Sequence, residues 1–263
     1  MPPRARHNST FAGKMNAMIF AAGLGSRLAP LTDDCPKALL PVAGIPMIEH
    51  AVKRLRDTAG VDRIVVNVHS HADMLERWIG ENAGRLGVEI VVSDERACLL
   101  DTGGGLLAAR HMLAGSDRVL LYNADIITDI DLGEMLEAHD ASGADVTLLT
   151  ADRTTVRKLL FDAGGRMRGW INEKTGETRP AGISDVQSLE RLAFGGVHIV
   201  GQRVFELLHE YAGEVGGSVF SITPFYIAMC SRLNIKSWRQ PESCRWIDAG
   251  KPESYAEANR LWC

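Results

Sequence analysis

The sequence has little that would tie it to a membrane, to nucleic acid or to an oxidising compartment. No apolar run in its 263 residues approaches the roughly 20 residues of a bilayer span, so no membrane partner is expected. Basic residues are in slight deficit, 29 Lys and Arg against 33 Asp and Glu, and such a chain is not expected to bind nucleic acid. The cysteines, Cys35, Cys98, Cys230, Cys244 and Cys263, are odd in number, widely spaced and form no Cys-x-x-Cys. That argues against a disulfide framework or a zinc site and for reduced thiols in a cytoplasmic protein. There is no internal repeat or low-complexity stretch. The opening MPPRARHNSTFAGK lacks the apolar centre of a secretory leader. With Met15 as a natural start, residues 1–14 read as an extension or a cloning remnant, expected to be disordered or loosely attached. One domain is then expected over 15–263.

What is present is alternation of strand-like and helix-like segments. Strands are predicted at 16–22, 63–68, 88–92, 118–122 and 146–150. Between them lie helical patterns at 46–58, from about 72, at 106–113 and at 132–142. Such βαβ repetition implies a mostly parallel sheet with helices on both faces. After Thr150 the pattern changes. A hairpin is predicted around Ala163-Gly164-Gly165. The polar segment 172–190 is predicted to be an irregular loop over the site. A strand at 192–200 is broken by Gly195-Gly196. Helices at 204–211 and 222–231, strands at 235–238 and 244–247, and a closing helix at 252–261 complete the chain.

The most informative segment is MIFAAGLGSRLAPLTDDCPK, residues 18–37. A buried strand breaks into Ala22-Gly23-Leu24-Gly25-Ser26-Arg27, and a glycine-rich turn after a strand can present backbone N–H groups to phosphate oxygens. Arg27 adds a forked cation suited to phosphate, and Lys37 a point-like one. Two commoner phosphate loops are excluded. Leu28 stands where a dinucleotide fingerprint needs a third glycine, the second strand ends without a ribose-binding acid, and no Gly-Lys-Ser/Thr follows. Two acids follow apolar strands, Asp125 in Leu-Tyr-Asn-Ala-Asp and Asp248 in Arg-Trp-Ile-Asp-Ala-Gly. Acids there face ligands in open α/β sheets, although either could be a turn former or helix cap. Asp129 and Asp131 read as caps. Asp101-Thr102-Gly103-Gly104-Gly105 is either a flexible helix start or backbone open to a close-lying group. His69, His71 and Asp73 resemble a metal cluster, but a polar helix entry explains them better.

Gly-x-Gly-Ser-Arg-Leu, then Pro-Leu-Thr, then Pro-Lys37 resembles the signature of the sugar-1-phosphate nucleotidylyltransferases, or nucleotide-sugar pyrophosphorylases. The resemblance runs from about residue 16 to the C-terminus. Short members acting on N-acetylmuramic acid 1-phosphate with UTP look most similar, followed by mannose-1-phosphate guanylyltransferase-like ones. It implies a three-layer α/β/α, doubly wound fold with a small sugar-side insertion. The implied reaction passes a nucleoside monophosphate from an NTP, UTP or GTP, to a sugar 1-phosphate and releases pyrophosphate. Mg²⁺ is the implied cofactor, held by Asp125 and Asp248. Arg27 and Lys37 would be catalytic. Ala22, Gly23, Gly25, Ser26, Thr102, Gly103, Gly104 and Asn123 would join them in binding nucleotide. Asn172, Glu173, Lys174, Gly195 and Gly196 would bind sugar, although the family's Glu-Lys-Pro is Glu-Lys-Thr here. A monomer or small homo-oligomer is expected. Two other readings stay open. One is a choline-phosphate cytidylyltransferase of the same fold, with Trp170, Trp238 or Trp246 caging the ammonium. The other is a catalytically silent nucleotide-sugar sensor.

Overall fold

The apolar run that opens the domain forms β1 (Asn16–Phe20), buried along nearly its whole length as a strand with parallel neighbours on both sides must be. A computed structural model describes residues 15–263; the expected extension 1–14 lies outside the described residues. The chain continues through β2 (Pro41–Val42), β3 (Ile45–Pro46), α1 (Met47–Ala59), β4 (Arg63–Val68), α2 (Ala72–Leu86), β5 (Glu89–Asp94), α3 (Asp101–Ala109), β6 (Arg118–Asn123) and β7 (Ile126–Thr128). Then come α4 (Leu132–Ser142), β8 (Val146–Ala151), β9 (Arg157–Phe161), β10 (Met167–Asn172), β11 (Thr178–Arg179) and β12 (Glu190–Gly201). The last elements are α5 (Arg203–Glu214), α6 (Ile222–Met229), β13 (Ile235–Arg239), β14 (Trp246–Asp248) and α7 (Pro252–Leu261).

The main sheet runs β11-β10-β9-β12-β6-β1-β4-β5, with β8 on β12 and β13 on β8. Strand β1 pairs in parallel with β4 and β6, and Phe20 stands opposite Asn67 on one side and Asn123 on the other. The chain builds outward from β1 through β4 to β5, then returns to place β6 on β1's other edge. That reversal opens a crevice at the carboxyl ends of β1 and β6, where ligands of such sheets bind. Ile48, Val52 and Leu55 of α1, Leu75 and Ile79 of α2 and Met135 of α4 cover one face. Leu106 of α3, Leu207 of α5 and Phe225 of α6 cover the other. The expected three-layer α/β/α architecture is therefore present. Among the described residues no helix is long and apolar enough to cross a membrane.

One expectation needs correction, that for the segment 172–190, and two others gain detail. Strand β12 is antiparallel to β6, β8 and β9, and its pairing with β8 shifts register between Phe194 and His198, which places the expected interruption at Gly195-Gly196. The segment 172–190 is not uniformly irregular: Thr178 and Arg179 pair with Ile171 and Trp170, so its first part is a β-hairpin. Asp101–Gly105 forms the first turns of α3, the helix start that is one of its two readings.

Glycine in α3 is explained by packing. A Cβ on Gly104 would lie 1.9 Å from the Ser218 carbonyl oxygen, and one on Gly103 2.5 Å from the Phe220 ring. Alanine would improve helix propensity by about 1 kcal/mol, but overpacking against backbone costs about 3 kcal/mol. Gly104→Ala should therefore lower stability by about 2 kcal/mol net, read as a lower denaturant midpoint at unchanged slope. A variant as stable as the parent would show that α3 does not press against Ser218.

Candidate active site

The loop after β1 is anchored at both ends and open between. At its start Asn67 Oδ1, from the neighbouring β4, accepts the N–H of Ala21 at 2.8 Å and of Ala22 at 3.3 Å. At its end the buried Leu28 closes a short 3₁₀ turn, Ser26–Leu28, with its N–H on Gly25 O at 2.8 Å. Between these points Gly23, Leu24, Ser26 and Arg27 are exposed. Gly25 has φ +69°, and a Cβ there would meet Thr32 Cγ2 at 2.9 Å, so both backbone conformation and close approach require glycine. The Ala22 N–H is engaged by Asn67, so any contact of Ala22 with a nucleotide would not run through that donor.

The acids converge because β14 is hydrogen-bonded to β7, with Asp248 opposite Ile126. Ala249 N–H donates to Asp125 O at 2.9 Å, and Gly250 N–H to Asp248 Oδ1 at 2.8 Å. Asp125 is buried, and its Oδ2 accepts from Lys37 Nζ at 2.5 Å. A Cβ on Gly250 would lie 2.8 Å from Asp248 Oδ1, 2.9 Å from Arg27 Nη2 and 2.9 Å from Asp125 Oδ2. Two carboxylates and a guanidinium thus surround one point. Burial, and then the Asp125 charge, push the Asp248 carboxyl above the usual carboxylate range against the opposing pull of Lys37 and Arg27. A half-buried carboxylate pair of this kind is a natural seat for a hard cation with oxygen ligands.

Behind this centre lies a polar brace that the sequence reading missed. Asn67 Nδ2 donates to Glu95 Oε1 at 2.8 Å, and Glu95 Oε2 accepts the N–H of Leu100 at 3.0 Å. Glu95 is 2% exposed. His69 lies against Glu95 O at 2.7 Å and Asp73 pairs with Arg96 at 2.9 Å, so these members of the apparent metal cluster have separate structural tasks. Asp131 caps α4 through Gly133 N–H, as expected. Cys35 is partly buried and its thiol pKa is raised by burial, which suits a packing residue.

The remaining expected nucleotide residues divide. Asn123 ends β6 beside the crevice; a Cβ on Gly196, whose φ is +71°, would lie 2.9 Å from its Nδ2. Gly103 and Gly104 are buried and both donate their N–H groups to Phe220 O, at 2.9 and 3.0 Å. Their backbone is engaged with protein and is not open to a base, which corrects the expectation. Thr102 Oγ1 accepts the N–H of Ile222 at 2.9 Å, so it caps α6.

Beyond the acids a cavity of about 940 Å³ is lined by Arg153, Trp170, Asn172, Phe194, Trp246 and Asp248, among others. Its link to the acids is Trp246, two residues before Asp248 on β14. Its indole N–H donates to Gly195 O at 2.9 Å, and the Arg153 guanidinium covers its ring at 3.4 Å. Gly195 is glycine because a Cβ would meet Leu149 at 2.8 Å. Glu173 and Lys174 do not line the cavity. They sit exposed in the β10–β11 turn, where Asn172 Oδ1 accepts the Lys174 N–H at 3.0 Å and Glu173 pairs with Arg191 at 3.3 Å. A five-residue turn, closed by Gly176 N–H on Asn172 O, holds them outside this cavity. Asn172 itself does line the cavity.

The crowding at Gly250 is directly testable. Gly250→Ala places a methyl among three flexible side-chain ends, so the fold should tolerate it while the acids and Arg27 move apart. Turnover in nucleotidylyl transfer should fall roughly a hundredfold, as a displacement of about 1 Å in a reacting site does, with the melting temperature little changed. Normal turnover would show that the three groups do not act together.

Comparison with known proteins places the chain in a family. The sequence profile of the nucleotidyl transferase family matches residues 16–262. N-acetylmuramate alpha-1-phosphate uridylyltransferase of Caulobacter vibrioides is 43% identical over 143 residues, 52% of this chain and 58% of that protein. Mannose-1-phosphate guanylyltransferase of Mycobacterium tuberculosis is 32% identical over 51% of this chain and 36% of its own length. The aligned part thus spans less than two thirds of either relative. Among solved structures, HddC of Yersinia pseudotuberculosis superposes with a TM-score of 0.73 at 19% identity, covering 95% of this chain and all of the other. At that identity the superposition speaks for the fold. With the profile spanning almost the whole described chain, this protein belongs to the nucleotidyl transferase family.

Proposed function

We propose that the protein transfers a nucleoside monophosphate from UTP or GTP to a sugar 1-phosphate, giving a nucleotide sugar and pyrophosphate, with Mg²⁺ as cofactor. The observation that carries this reading is the convergence of Asp125, Asp248 and Arg27 on one point, with Lys37 paired to Asp125. In the reaction a phosphate oxygen of the acceptor attacks the α-phosphorus, and the bond to pyrophosphate breaks in line. Two polyanions must meet, so charge neutralisation and positioning supply most of the catalysis. Asp125 and Asp248 would hold Mg²⁺, which when bound supplies positive charge to the phosphate oxygens. Arg27, exposed at the end of the glycine turn, would meet the departing pyrophosphate. Lys37, held in place by Asp125, is available to an incoming phosphate oxygen at the same spot. Ser26, Gly23 and Gly25 would carry the triphosphate, and Asn123 would stand at the crevice between β1 and β6.

The names of the relatives support a uridylyl or guanylyl donor and an acceptor such as N-acetylmuramate 1-phosphate or mannose 1-phosphate. A choline-phosphate acceptor has less support. One face of the Trp246 ring carries the Arg153 guanidinium at 3.4 Å and the Arg179 guanidinium lies 5.4 Å from the Trp170 ring, while Trp238 packs against the core, so cations of the protein itself already compete for the two rings that line the cavity. A silent sensor would be expected to have lost an acid or a loop cation, and all four are present.

Two measurements test the proposal. Pyrophosphate release with UTP or GTP and a panel of sugar 1-phosphates should require Mg²⁺, and Asp125→Asn or Asp248→Asn should reduce it by at least about a hundredfold. Near-parental turnover in either variant would refute the metal assignment. Independently of turnover, Mg²⁺ at tenfold its Kd should raise the melting temperature by about 4 °C, because it relieves the repulsion between the two carboxylates. Asp248→Asn should abolish that rise; an equal rise in the variant would place the cation elsewhere.

A further inference from the structure

From the cavity wall we infer that Arg153, not Lys174, receives the phosphate of the acceptor. This rests on the transfer reaction proposed above and names the residue that selects a phosphorylated acceptor. Arg153 lies just beyond β8 and lines the large cavity together with Trp246 and Asp248. Its guanidinium is clamped from two sides: the Trp246 ring lies 3.4 Å beneath it, and Nη2 donates to Gln240 Oε1. Nη1 is buried and has no hydrogen-bond partner. A guanidinium presents a fork of donors to a phosphate, and leaving one of them buried and unpaired works against folding. A ligand oxygen would supply the missing partner once a small turn of the guanidinium brings Nη1 to the cavity surface. Burial lowers the Arg153 pKa to about 10 despite the nearby Asp248 charge, so the group is still a cation at neutral pH.

Position decides between Arg153 and Lys174. Trp246 and Asp248 are two apart on one strand, and residues two apart share a strand face. An anion on the Arg153 guanidinium would therefore sit beside Asp248, where the acceptor oxygen must be to reach the α-phosphorus. Lys174 is exposed on the outer hairpin turn and does not line the cavity. Arg157 and Lys251 add positive charge to the same cavity, against which an unphosphorylated sugar gains nothing.

Arg153→Gln should raise KM for the sugar 1-phosphate roughly tenfold or more, the loss expected for one charge-assisted contact, with KM for the triphosphate changed by less than about twofold. Arg153→Lys, which keeps the charge without the planar fork, should fall between the two. Titration calorimetry without triphosphate, using N-acetylmuramate 1-phosphate and mannose 1-phosphate, gives a readout independent of turnover. At least one should bind the parent protein, and Arg153→Gln should weaken that binding by the same factor. Unchanged acceptor KM and affinity in both Arg153 variants would overturn the inference, as would a tenfold loss in Lys174→Ala alone. If Arg153→Gln does not fold, the Arg153→Lys and Lys174→Ala pair decides. If the parent binds these sugar phosphates but turns over none of them with any triphosphate, the proposed reaction fails while Arg153 is still judged by the binding data.

Discussion

The structure is organised around an electrostatic tension: two carboxylates, Asp125 and Asp248, brought together at the carboxyl ends of β6 and β14. Like charges at this distance, partly out of water, repel strongly. Lys37 against Asp125 at 2.5 Å and Arg27 within 2.9 Å of the same point offset part of that repulsion. Burial first, and then the Asp125 charge, still raise the Asp248 pKa. A site that holds like charges together at some cost to folding stability is prepared for a ligand with the opposite sign. The contacts around the crevice hold the loop, strands and helix that frame these four groups.

Two kinds of device do so. The first is polar: Asn67 fastens the start of the glycine loop, and Glu95 fastens Asn67 and the segment leading to α3. The loop that carries Arg27 is thereby tied to β4 and β5. The second is steric. Gly250 leaves room for three charged ends, Gly195 lets β12 approach Leu149, and Gly103 and Gly104 let α3 lie against Ser218 and Phe220. Trp246 joins the two halves of the site, since its strand carries Asp248 while its ring supports Arg153 and its N–H holds β12.

Much of this was legible from the sequence, and the physical reasons differ by element. The βαβ half showed clear periodicity because each strand is buried on both faces and each helix on one. The glycine loop, Lys37 and the two acids stood out because phosphate and metal chemistry require those residue types after strands. The direction of β12 was not legible, because an apolar strand reads the same parallel or antiparallel. The Gly103–Gly104 pair misled for a related reason: glycine marks close approach, but the approaching group is Ser218 and Phe220 backbone and side chain. Asn67, Glu95 and Arg153 carried no local signal at all. Their partners lie 45, 28 and 93 positions away or so along the chain, and only the fold brings them together. Glu173 and Lys174 matched a family step in sequence, but the short hairpin turn carries them outward.

The most direct measurement of the central claim is the position of a bound cation. A crystal structure with Mn²⁺ in place of Mg²⁺ and a non-hydrolysable triphosphate, read by anomalous scattering, should show one peak within about 2.2 Å of a carboxylate oxygen of both Asp125 and Asp248, given the short oxygen distances of such cations, with a phosphate oxygen completing its shell. A triphosphate bound with the Lys37–Asp125 pair undisturbed and no anomalous peak between the two acids would contradict the account.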